Sequence, residues 1–363
     1  MTIAIDCRML HASGVGVYLR GCLPWFAQSS NSFLLIGNRA QLVAFASYQN
    51  IKIIDCDVKP FSIKELLFFL SETVWRINRA DVYYSPFFNV PIGLKIPVYT
   101  TIHDIIFPDM PELLSGAGLA IRMWFFRRAY RKSRKIFTVS GFSKSRIEHH
   151  LGTEKPIVVT YSAIQQMFLE YRAIARNAKK SDTIVFVGNI KKHKGLDCLL
   201  DAFCLAKNEG LPHRLVIVGS RDSFRTFDDA VLRKTESLGD SVFFTGFVSD
   251  EALMEHISTA ALLVQPSLYE GFCLPPLEAM VLGTHALVSD IPVLREVYAD
   301  FPVAFFRAGD SGDLKEKMMG MLFGKAPASL VLPDELLSKY TFKKTASRIM
   351  LSLLDAAGAE NCK

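Results

Sequence analysis

The sequence predicts an α/β protein built from two doubly wound, Rossmann-like domains. Short runs rich in Val, Ile and Phe alternate with longer periodic segments throughout, which is typical of parallel βαβ units. The 363 residues exceed one ordinary domain, and half of them are apolar, which is enough for two buried cores. The polar, basic stretch 171–182 interrupts the pattern, and we interpret it as a linker.

Each half of the chain carries its own set of predicted strands. In the first half they are 2–6, 32–36, 51–55, 81–85, 97–102, 134–139 and 156–160, with helices at 16–27, 62–77, 118–132 and 141–151. In the second half they are 183–187, 214–218, 241–245, 261–265 and 285–289, each followed by a helix-like segment. We therefore predict domains at 1–165 and 166–341. The last segment, 342–363, could return to the N-terminal domain, and the carboxyl ends of both strand sets should face a common cleft.

Composition argues for a cytoplasmic protein that does not cross a membrane. The N-terminus lacks the basic start and long apolar core of a signal peptide, and no apolar run reaches the roughly 18–20 residues of a span. Seven scattered cysteines without a Cys-x-x-Cys pair suit reduced thiols. We expect no metal site, because His149 and His150 are adjacent and Asp55-Cys56-Asp57 stands alone as an Asp-x-Asp.

Positive charge is concentrated in the first half of the chain. Residues 1–165 carry 19 Lys and Arg against 11 Asp and Glu, a surplus of eight. Much of it lies in Arg122–Lys135, where basic residues alternate with aromatic ones and no acid intervenes. This segment is either a peripheral contact with an anionic inner membrane face or a solvated helix with a buried aromatic face. No pattern supports nucleic acid binding.

The most informative motif is the stretch 265–280, Gln-Pro-Ser-Leu-Tyr-Glu-Gly-Phe-Cys-Leu-Pro-Pro-Leu-Glu-Ala-Met. It follows a predicted buried strand, and Pro275-Pro276 should start a helix, because proline is tolerated in the first helical turn. The amides of Gly271 to Leu274 would then point toward phosphate oxygens at a helix N-terminus. Glu270 and Glu278 bracket this loop, and each carboxylate could accept hydrogen bonds from sugar hydroxyls.

This stretch resembles the Glu-x7-Glu motif of retaining glycosyltransferases of family four, the group 1 glycosyltransferases, and the similarity extends over nearly the whole chain. The family implies a GT-B fold of two Rossmann-like domains facing across a cleft. It also implies that Glu270 contacts the transferred sugar and Glu278 the nucleotide ribose. Lys194 matches the lysine that binds the donor diphosphate. Many members have arginine at the position of Asn189, and Lys191 could replace that charge.

Other segments follow the family's order. Gly219 ends a strand beside the nucleotide, Phe247 and Val248 resemble the segment that receives the base, and Cys273 replaces a common glycine. The complete predicted donor-binding set is Gly14, Gly16, Gly188, Asn189, Lys191, Gly219, Phe247, Val248, Gly271, Phe272, Cys273, Leu274 and Glu278.

In the first half, three segments resemble the acceptor side of the family. Gly14 and Gly16, followed by Tyr18, resemble its N-terminal glycine loop, with a plain tight turn as the alternative. His103-Asp104 ends a strand and matches a His-Asp pair, although Asp104 could simply cap the next turn. Ser140 begins a segment where it could bind acceptor or cap a helix. We predict Tyr18, Asp104 and Ser140 as acceptor-binding, and His103, Glu270 and Lys194 as catalytic.

The predicted function is transfer of a hexosyl group from a nucleotide diphosphate sugar to a glycan or lipid-linked oligosaccharide, without metal or cofactor. GDP-mannose is slightly favoured, because the sequence around Lys194 resembles that of mannosyl-transferring members of bacterial polysaccharide pathways. Two alternatives stay open, an epimerase of nucleotide sugars and a non-catalytic protein that binds sugar nucleotides. Analysis of products without acceptor would separate the first, and absence of turnover would identify the second.

Overall fold

The computed structural model describes residues 1–62, 65, 72–175, 177–219, 229–324, 330 and 332–360. The chain forms two compact units, Met1–Ala163 with Tyr340–Lys363, and Ile164–Lys339. The unit boundaries lie two residues from the sequence-based ones, and the C-terminal helix groups with the N-terminal unit. The middle of the helix predicted at 62–77, the apolar run at 66–70 within it, and Cys362 lie outside the described residues.

The N-terminal unit contains a parallel sheet of seven described strands in the order β3-β2-β1-β4-β5-β6-β7. The strands are β1 Thr2–Asp6, β2 Ser32–Gly37, β3 Ile51–Asp55, β4 Val82–Ser85, β5 Val98–Thr101, β6 Ser133–Thr138 and β7 Ile157–Val159. β1, β4 and β5 are buried along almost their whole length. Helices cover both faces of such a sheet, which explains why these strands are continuous apolar runs rather than alternating ones.

Helices follow most of these strands. They are α1 Ser13–Ala27, α2 Glu72–Ile77, α3 Ile106–Asp109, α4 Gly116–Lys132, α5 Gly141–Leu151 and, from the end of the chain, α14 Phe342–Glu360. Short 3-10 turns occur at Val43–Phe45 and Pro111–Leu113. The C-terminal helix α14 packs against α1, and Thr345 Oγ1 donates to the carbonyl oxygen of Thr160 (3.2 Å). The buried face of α14 includes Phe342, Ala346 and Ile349, which explains its apolar periodicity.

The C-terminal unit contains a parallel sheet of six described strands in the order β10-β9-β8-β11-β12-β13. The strands are β8 Thr183–Val187, β9 Arg214–Val218, β10 Val242–Gly246, β11 Leu262–Gln265, β12 His285–Ser289 and β13 Ala304–Phe306. β13 was not predicted, because three residues carry too little periodicity to be recognised in sequence.

The helices of this unit are α6 Gln166–Ala175, α7 Leu196–Asn208, α8 Asp229–Leu238, α9 Asp250–Thr259, α10 Pro275–Val281, α11 Pro292–Val297, α12 Ser311–Phe323 and α13 Asp334–Lys339. Two 3-10 turns lie at Lys192–Lys194 and Gly239–Ser241. Buried side chains of α7 and α12 pack with those of β8 and β9 in one core.

The linker predicted at 171–182 is wrong over its first part. Residues 171–175 are the end of helix α6, in which Phe168 and Ala175 are buried. Lys180 also lies against the C-terminal unit, because its Nζ donates to the carbonyl oxygen of Ser258 (2.8 Å) and to Thr284 Oγ1 (2.5 Å). The polar composition suggested a linker, but these polar groups are bonded to the unit that follows.

Each sheet contains a point where the strand order reverses, between β1 and β4 in one unit and between β8 and β11 in the other. At such a point the loops after the two strands leave in opposite directions and open a crevice at the carboxyl edge, where open α/β sheets bind ligands. In the C-terminal unit the loop after β8 contains Lys194, and the loop after β11 contains Glu270. The topology therefore brings the two predicted catalytic side chains of this unit to one crevice.

Candidate functional site

The loops after β8 and β11 pack directly on each other. The amide of Leu268 donates to the carbonyl oxygen of His193 (2.8 Å). Gly195 follows in the left-handed region with φ +69°, and a Cβ placed there would collide with the carbonyl of Pro266. Only glycine combines that dihedral angle with so close an approach. The contact fixes the 3-10 turn Lys192–Lys194 against the second loop.

A buried hydrogen-bond network holds Glu270. Lys194 Nζ lies 2.6 Å from Glu270 Oε1, and the two side chains are 20% and 9% exposed. Ser267 Oγ also donates to Glu270 Oε1 (2.7 Å) and accepts from Gln265 Nε2 (3.0 Å). Charge-assisted bonds of this kind are roughly twice as strong as neutral ones. The two predicted catalytic residues of this unit therefore form one ion pair at the switch point.

The two glutamates of the motif have opposite electrostatic environments. Burial alone would raise the pKa of Glu270, but the ammonium group of Lys194 and the hydrogen bonds from Lys194 and Ser267 outweigh burial and lower it. Burial raises the pKa of Glu278 to about 8, and the charge of Asp250 adds to the effect. In the unliganded protein Glu270 is ionised, whereas Glu278 is mostly protonated near pH 7 and can donate as well as accept.

The loop between these glutamates is shaped by a strained cysteine. Cys273 has φ +74°, a region that residues other than glycine seldom occupy, so the family's common glycine at this position has a backbone explanation. Tyr298 is fully buried, and its hydroxyl donates to the carbonyl oxygen of Cys273. Helix α10 then begins with Pro275 and Pro276 as predicted. Because prolines have no N–H, the first two residues of this helix offer no donor, and the amides of Cys273 and Leu274 directly precede them.

Backbone groups at the ends of β8, β9 and β10 lie close together. A Cβ on Gly219 would collide with the carbonyl of Gly188, and Gly219 also forms a bridge with Gly246. Directly after this bridge, Phe247 is 95% exposed, an exposure that is unusual for so large an apolar ring. Val248 follows it. The predicted base-binding segment thus presents a ring and main-chain groups at the sheet edge.

The remaining residues predicted to bind donor in this unit lie close in sequence to Lys194 or Glu270. Asn189 and Lys191 belong to the loop after β8, in which Lys191 is exposed. Gly271 and Phe272 directly follow Glu270 and are buried. Their roles in donor binding stay predictions.

In the N-terminal unit, His103 lies at the carboxyl end of β5. Its Nε2 is 2.8 Å from the carbonyl oxygen of Pro86, so Nε2 carries the proton and Nδ1 is the acceptor nitrogen. Its ring packs edge-on against Tyr18, with centroids 4.9 Å apart. Burial lowers the pKa of His103 to about 4, an effect that the bond to Pro86 partly offsets. The side chain is therefore a neutral hydrogen-bonding group at pH 7.

The structure gives several predicted acceptor-side residues a structural role. Tyr18 is buried and its hydroxyl bonds to Thr160 Oγ1 (2.8 Å). Ser140 is also buried and caps α5 by accepting from the amide of Ser143 (3.0 Å). Asp104 accepts from the amide of Ile106 (3.1 Å) at the start of α3. The bonds of Ser140 and Asp104 match the capping alternatives, and acceptor binding by the three residues stays a prediction.

The two glycines after β1 differ. Gly14 lies near the start of α1, where a Cβ would meet no atom within 4 Å. Gly16 is buried within α1, and a Cβ there would approach the carbonyl oxygen of Leu10 to 2.5 Å. Gly16 is therefore needed for packing inside the unit, whereas Gly14 leaves its backbone accessible to a ligand.

Sequence reasoning missed three contributors to the site. Ser267 lies inside the quoted motif but carries no family role, and Tyr298 lies 25 residues beyond the carbonyl that it holds. His193 has a buried Nδ1 that finds no partner in the described part of the chain. Burial, together with the charge of Lys194, lowers the pKa of His193 to about 4. The described residues contain no cluster of three or more metal-ligating side chains.

Comparison with known proteins agrees with this geometry. A model described as "Glycosyl transferases group 1" matches residues 167–324, and one described as "Glycosyltransferase Family 4" matches residues 50–165. The matched ranges lie in both units and include the loops that carry Lys194, Glu270 and His103. The chain belongs to this glycosyltransferase family. Its two parallel-sheet units are those of the GT-B fold.

Several relatives are named as mannosyltransferases, at modest identity. The O-antigen chain mannosyltransferase B of Escherichia coli is 27% identical over 240 residues, which is 60% of this chain and 59% of that protein. The serotype-specific mannosyltransferase WbdA of Escherichia coli is 33% identical over 178 residues, which is 48% of this chain and 21% of that protein. The chain thus spans less than two thirds of the length of either relative.

Solved structures share the fold over almost the whole chain. HepE of Anabaena, solved in complex with UDP and glucose, has a TM-score of 0.71 at 16% identity, and the match covers 98% of this chain and 100% of HepE. Sucrose-phosphate synthase from Thermosynechococcus elongatus has a TM-score of 0.75 at 15% identity, over 99% of this chain and 100% of the synthase. At these identities the similarity concerns the fold alone.

Proposed function

We propose that the chain is a hexosyltransferase that moves a sugar from a nucleotide diphosphate donor to a hydroxyl group, with retention of configuration and without a metal ion. The observation that carries the proposal is the Lys194–Glu270 ion pair at the switch point of the C-terminal sheet. The acceptor is a glycan or a lipid-linked oligosaccharide. GDP-mannose is the favoured donor, because several relatives are named as mannosyltransferases.

The ion pair suits a site that must receive a diphosphate. When donor binds, the ammonium of Lys194 turns to the diphosphate and stabilises the negative charge that grows as the glycosidic bond breaks. Glu270 then accepts hydrogen bonds from sugar hydroxyls, and the protonated Glu278 both donates to and accepts from the ribose diol. Glu270 already has two partners on one oxygen, which makes it a poor nucleophile. Retention therefore results from attack by the acceptor on the face that the diphosphate leaves, with a phosphate oxygen taking the proton.

Donor binding is tested by thermal unfolding with GDP-mannose and UDP-glucose. A donor at 100 times its dissociation constant should stabilise the protein by about 2.7 kcal/mol. Lys194→Ala should abolish the shift, whereas Lys192→Ala, which removes an exposed lysine of the same turn, should preserve it. Absence of a shift with every nucleotide sugar refutes the proposal.

Transfer is tested with the stabilising donor and a lipid-linked oligosaccharide acceptor. We expect product with the anomeric configuration of the donor, measured by NMR, and an unchanged rate in the presence of a chelator. An inverted product contradicts the proposed mechanism, and loss of rate with the chelator contradicts metal independence. Release of an epimerised nucleotide sugar without acceptor identifies an epimerase, and donor binding without turnover identifies a binding protein.

We also propose that one face of α4 makes peripheral contact with an anionic bilayer. On this face Ile121 and Trp124 are 58% and 46% exposed. A groove of about 460 Å³ runs beside them, and its lining is Ala120, Trp124, Arg127, Arg128, Arg131 and Lys132. Exposed aromatic and basic side chains on one helix are typical of interfacial binding. No described helix is long and apolar enough to cross a membrane.

Vesicle co-sedimentation tests this contact. The protein should bind phosphatidylglycerol vesicles at low salt and not phosphatidylcholine vesicles, and Arg131→Gln with Lys132→Gln should weaken binding because each basic residue contributes about 1 kcal/mol near an anionic surface. Equal binding to both vesicle types, or binding that is unaffected by the double change, refutes it.

A further inference from the structure

Arg122 occupies an unusual environment on the other side of helix α4. Its guanidinium carbon lies 5.1 Å from the ring centroid of Phe61 and 5.3 Å from that of Phe107. The side chain is half-buried, and no carboxylate, carbonyl or hydroxyl oxygen among the described residues bonds to it. Burial lowers its pKa. The rings orient a planar cation whose N–H donors find no acceptor in the part of the chain that the structure describes.

The fold maintains this arrangement against backbone strain. Phe61 has φ +63°, a value that is rare for a bulky residue. Its amide donates to Glu65 Oε2 (2.7 Å), which also accepts from Asn89 Nδ2 (2.6 Å). Glu65 is buried and forms an ion pair with Arg8 (2.7 Å). Strain that is held by a buried ion pair is characteristic of functional positions.

The surroundings of Arg122 lie at the carboxyl edge of the N-terminal sheet. Phe61 comes from the loop after β3, and Phe107 from the short helix α3 that follows β5, four residues beyond His103. The ring centroids of Phe61 and Phe87 are 6.1 Å apart. Phe87 directly follows Pro86, whose carbonyl oxygen bonds to His103. This is the edge where open α/β sheets bind ligands.

The chemistry of this place selects the ligand. An unpaired guanidinium recognises an oxyanion, and phosphate presents oxygens that match its fork of donors. The surrounding rings add an apolar wall, which includes Phe88 and Phe125. The ring centroids of both lie 5.0 Å from that of Phe61. The positive surplus of residues 1–165 also favours a multiply charged anion over a single carboxylate. An amphiphile with a phosphate group next to hydrocarbon fits all three features.

We propose that Arg122, which lies over the rings of Phe61 and Phe107, binds the phosphate or diphosphate group of a lipid-linked acceptor. The assignment to the acceptor rests on the proposed function. This role distinguishes Arg122 from the exposed basic residues of α4, which line the groove described above.

Calorimetric titration of the full-length chain with decyl diphosphate tests the proposal. The titration uses the Lys194→Ala background, which removes diphosphate binding at the proposed donor site. Adding Arg122→Gln should weaken decyl diphosphate binding by about tenfold or more, because the charge-assisted bonds are lost. Arg122→Lys should give an intermediate loss, because the charge remains without the planar fork.

Arg79→Gln is the matched control. Arg79 also stacks on a ring of this unit, with its guanidinium carbon 4.5 Å from Trp75, but it is exposed, so its removal should change affinity by less than about twofold. Decyl maltoside, an amphiphile without phosphate, should bind equally with and without Arg122. Unchanged diphosphate affinity in Arg122→Gln, or an equal loss in Arg79→Gln, overturns the proposal.

Two further outcomes are decisive. Phe107→Leu, which keeps the cation but removes one ring, should weaken binding less than Arg122→Gln, and it supplies a second variant if that one fails to fold. Absence of decyl diphosphate binding in the Lys194→Ala chain also overturns the proposal.

Donor binding by Arg122→Gln should match that of the unmodified chain. If the unmodified chain binds no nucleotide sugar, the proposed function fails while the diphosphate titration still decides whether the anion site exists.

Discussion

Replacing Lys194 by alanine should destabilise the protein because it leaves Glu270 as a buried, unpaired carboxylate. At an effective dielectric constant of 20, charges at 2.6 Å attract by about 6 kcal/mol before the cost of desolvation. Removing one partner of a buried pair costs about 3–5 kcal/mol. Lys194 is 20% exposed, and Glu270 keeps its bond from Ser267. We therefore expect the lower limit, about 3 kcal/mol.

Chemical denaturation of Lys194→Ala, Glu270→Gln and the double variant measures this energy. The double variant should be more stable than the sum of the single changes predicts, with a coupling of about 2 kcal/mol. The cost of Lys194→Ala should also shrink at acidic pH, since protonation neutralises the unpaired Glu270. Lys192→Ala, the exposed control, should cost less than about 0.5 kcal/mol. If Lys194→Ala costs no more than Lys192→Ala at neutral pH, the ion pair does not stabilise the site.

Three further changes probe the same site. The folded pKa of Glu278, about 8, lies above its ordinary value of 4.5. Its stabilising contribution is therefore complete below pH 4.5 and declines as pH rises to 8, by at most about 1.4 kcal/mol per pH unit. Glu278→Gln should flatten this decline in thermal unfolding of the protein without ligand, and an unchanged slope would contradict the raised pKa. Gly195→Ala should lower the free energy of unfolding by about 2–3 kcal/mol, against about 1 kcal/mol for Gly210→Ala, whose Cβ meets open space at φ +90°. Equal losses in urea unfolding would show that the close contact with Pro266 does not contribute. Tyr298→Phe should cost about 1 kcal/mol and weaken nucleotide-sugar affinity, since the Cys273 carbonyl loses its donor; unchanged affinity by calorimetry would show that this bond does not shape the loop for ligand.

The strand pattern was predictable because parallel strands buried on both faces read as continuous apolar runs. The run at 2–6, for example, coincides with the largely buried β1. Local composition failed where tertiary contacts decide the outcome. Residues 171–175 looked like a polar linker, but burial of Phe168 and Ala175 makes this stretch helical.

The candidate site was predictable where its residues lie in one motif. Glu270, Glu278 and the helix start at Pro275 are local features, and the resemblance also identified Lys194. The partners that set their charge states come from distant segments. Burial raises the pKa of Glu278, and Asp250 from a separate helix adds to the effect. Arg122 likewise contacts Phe61 from the loop after β3 and Phe107 from helix α3. Sequence spacing contains no information about such contacts.

The structure of a complex with a nucleotide sugar tests the central claim most directly. The account predicts a diphosphate oxygen within hydrogen-bond distance of Lys194 Nζ, sugar hydroxyls on Glu270 and the ribose on Glu278. A diphosphate bound elsewhere, with the Lys194–Glu270 pair intact, would contradict it.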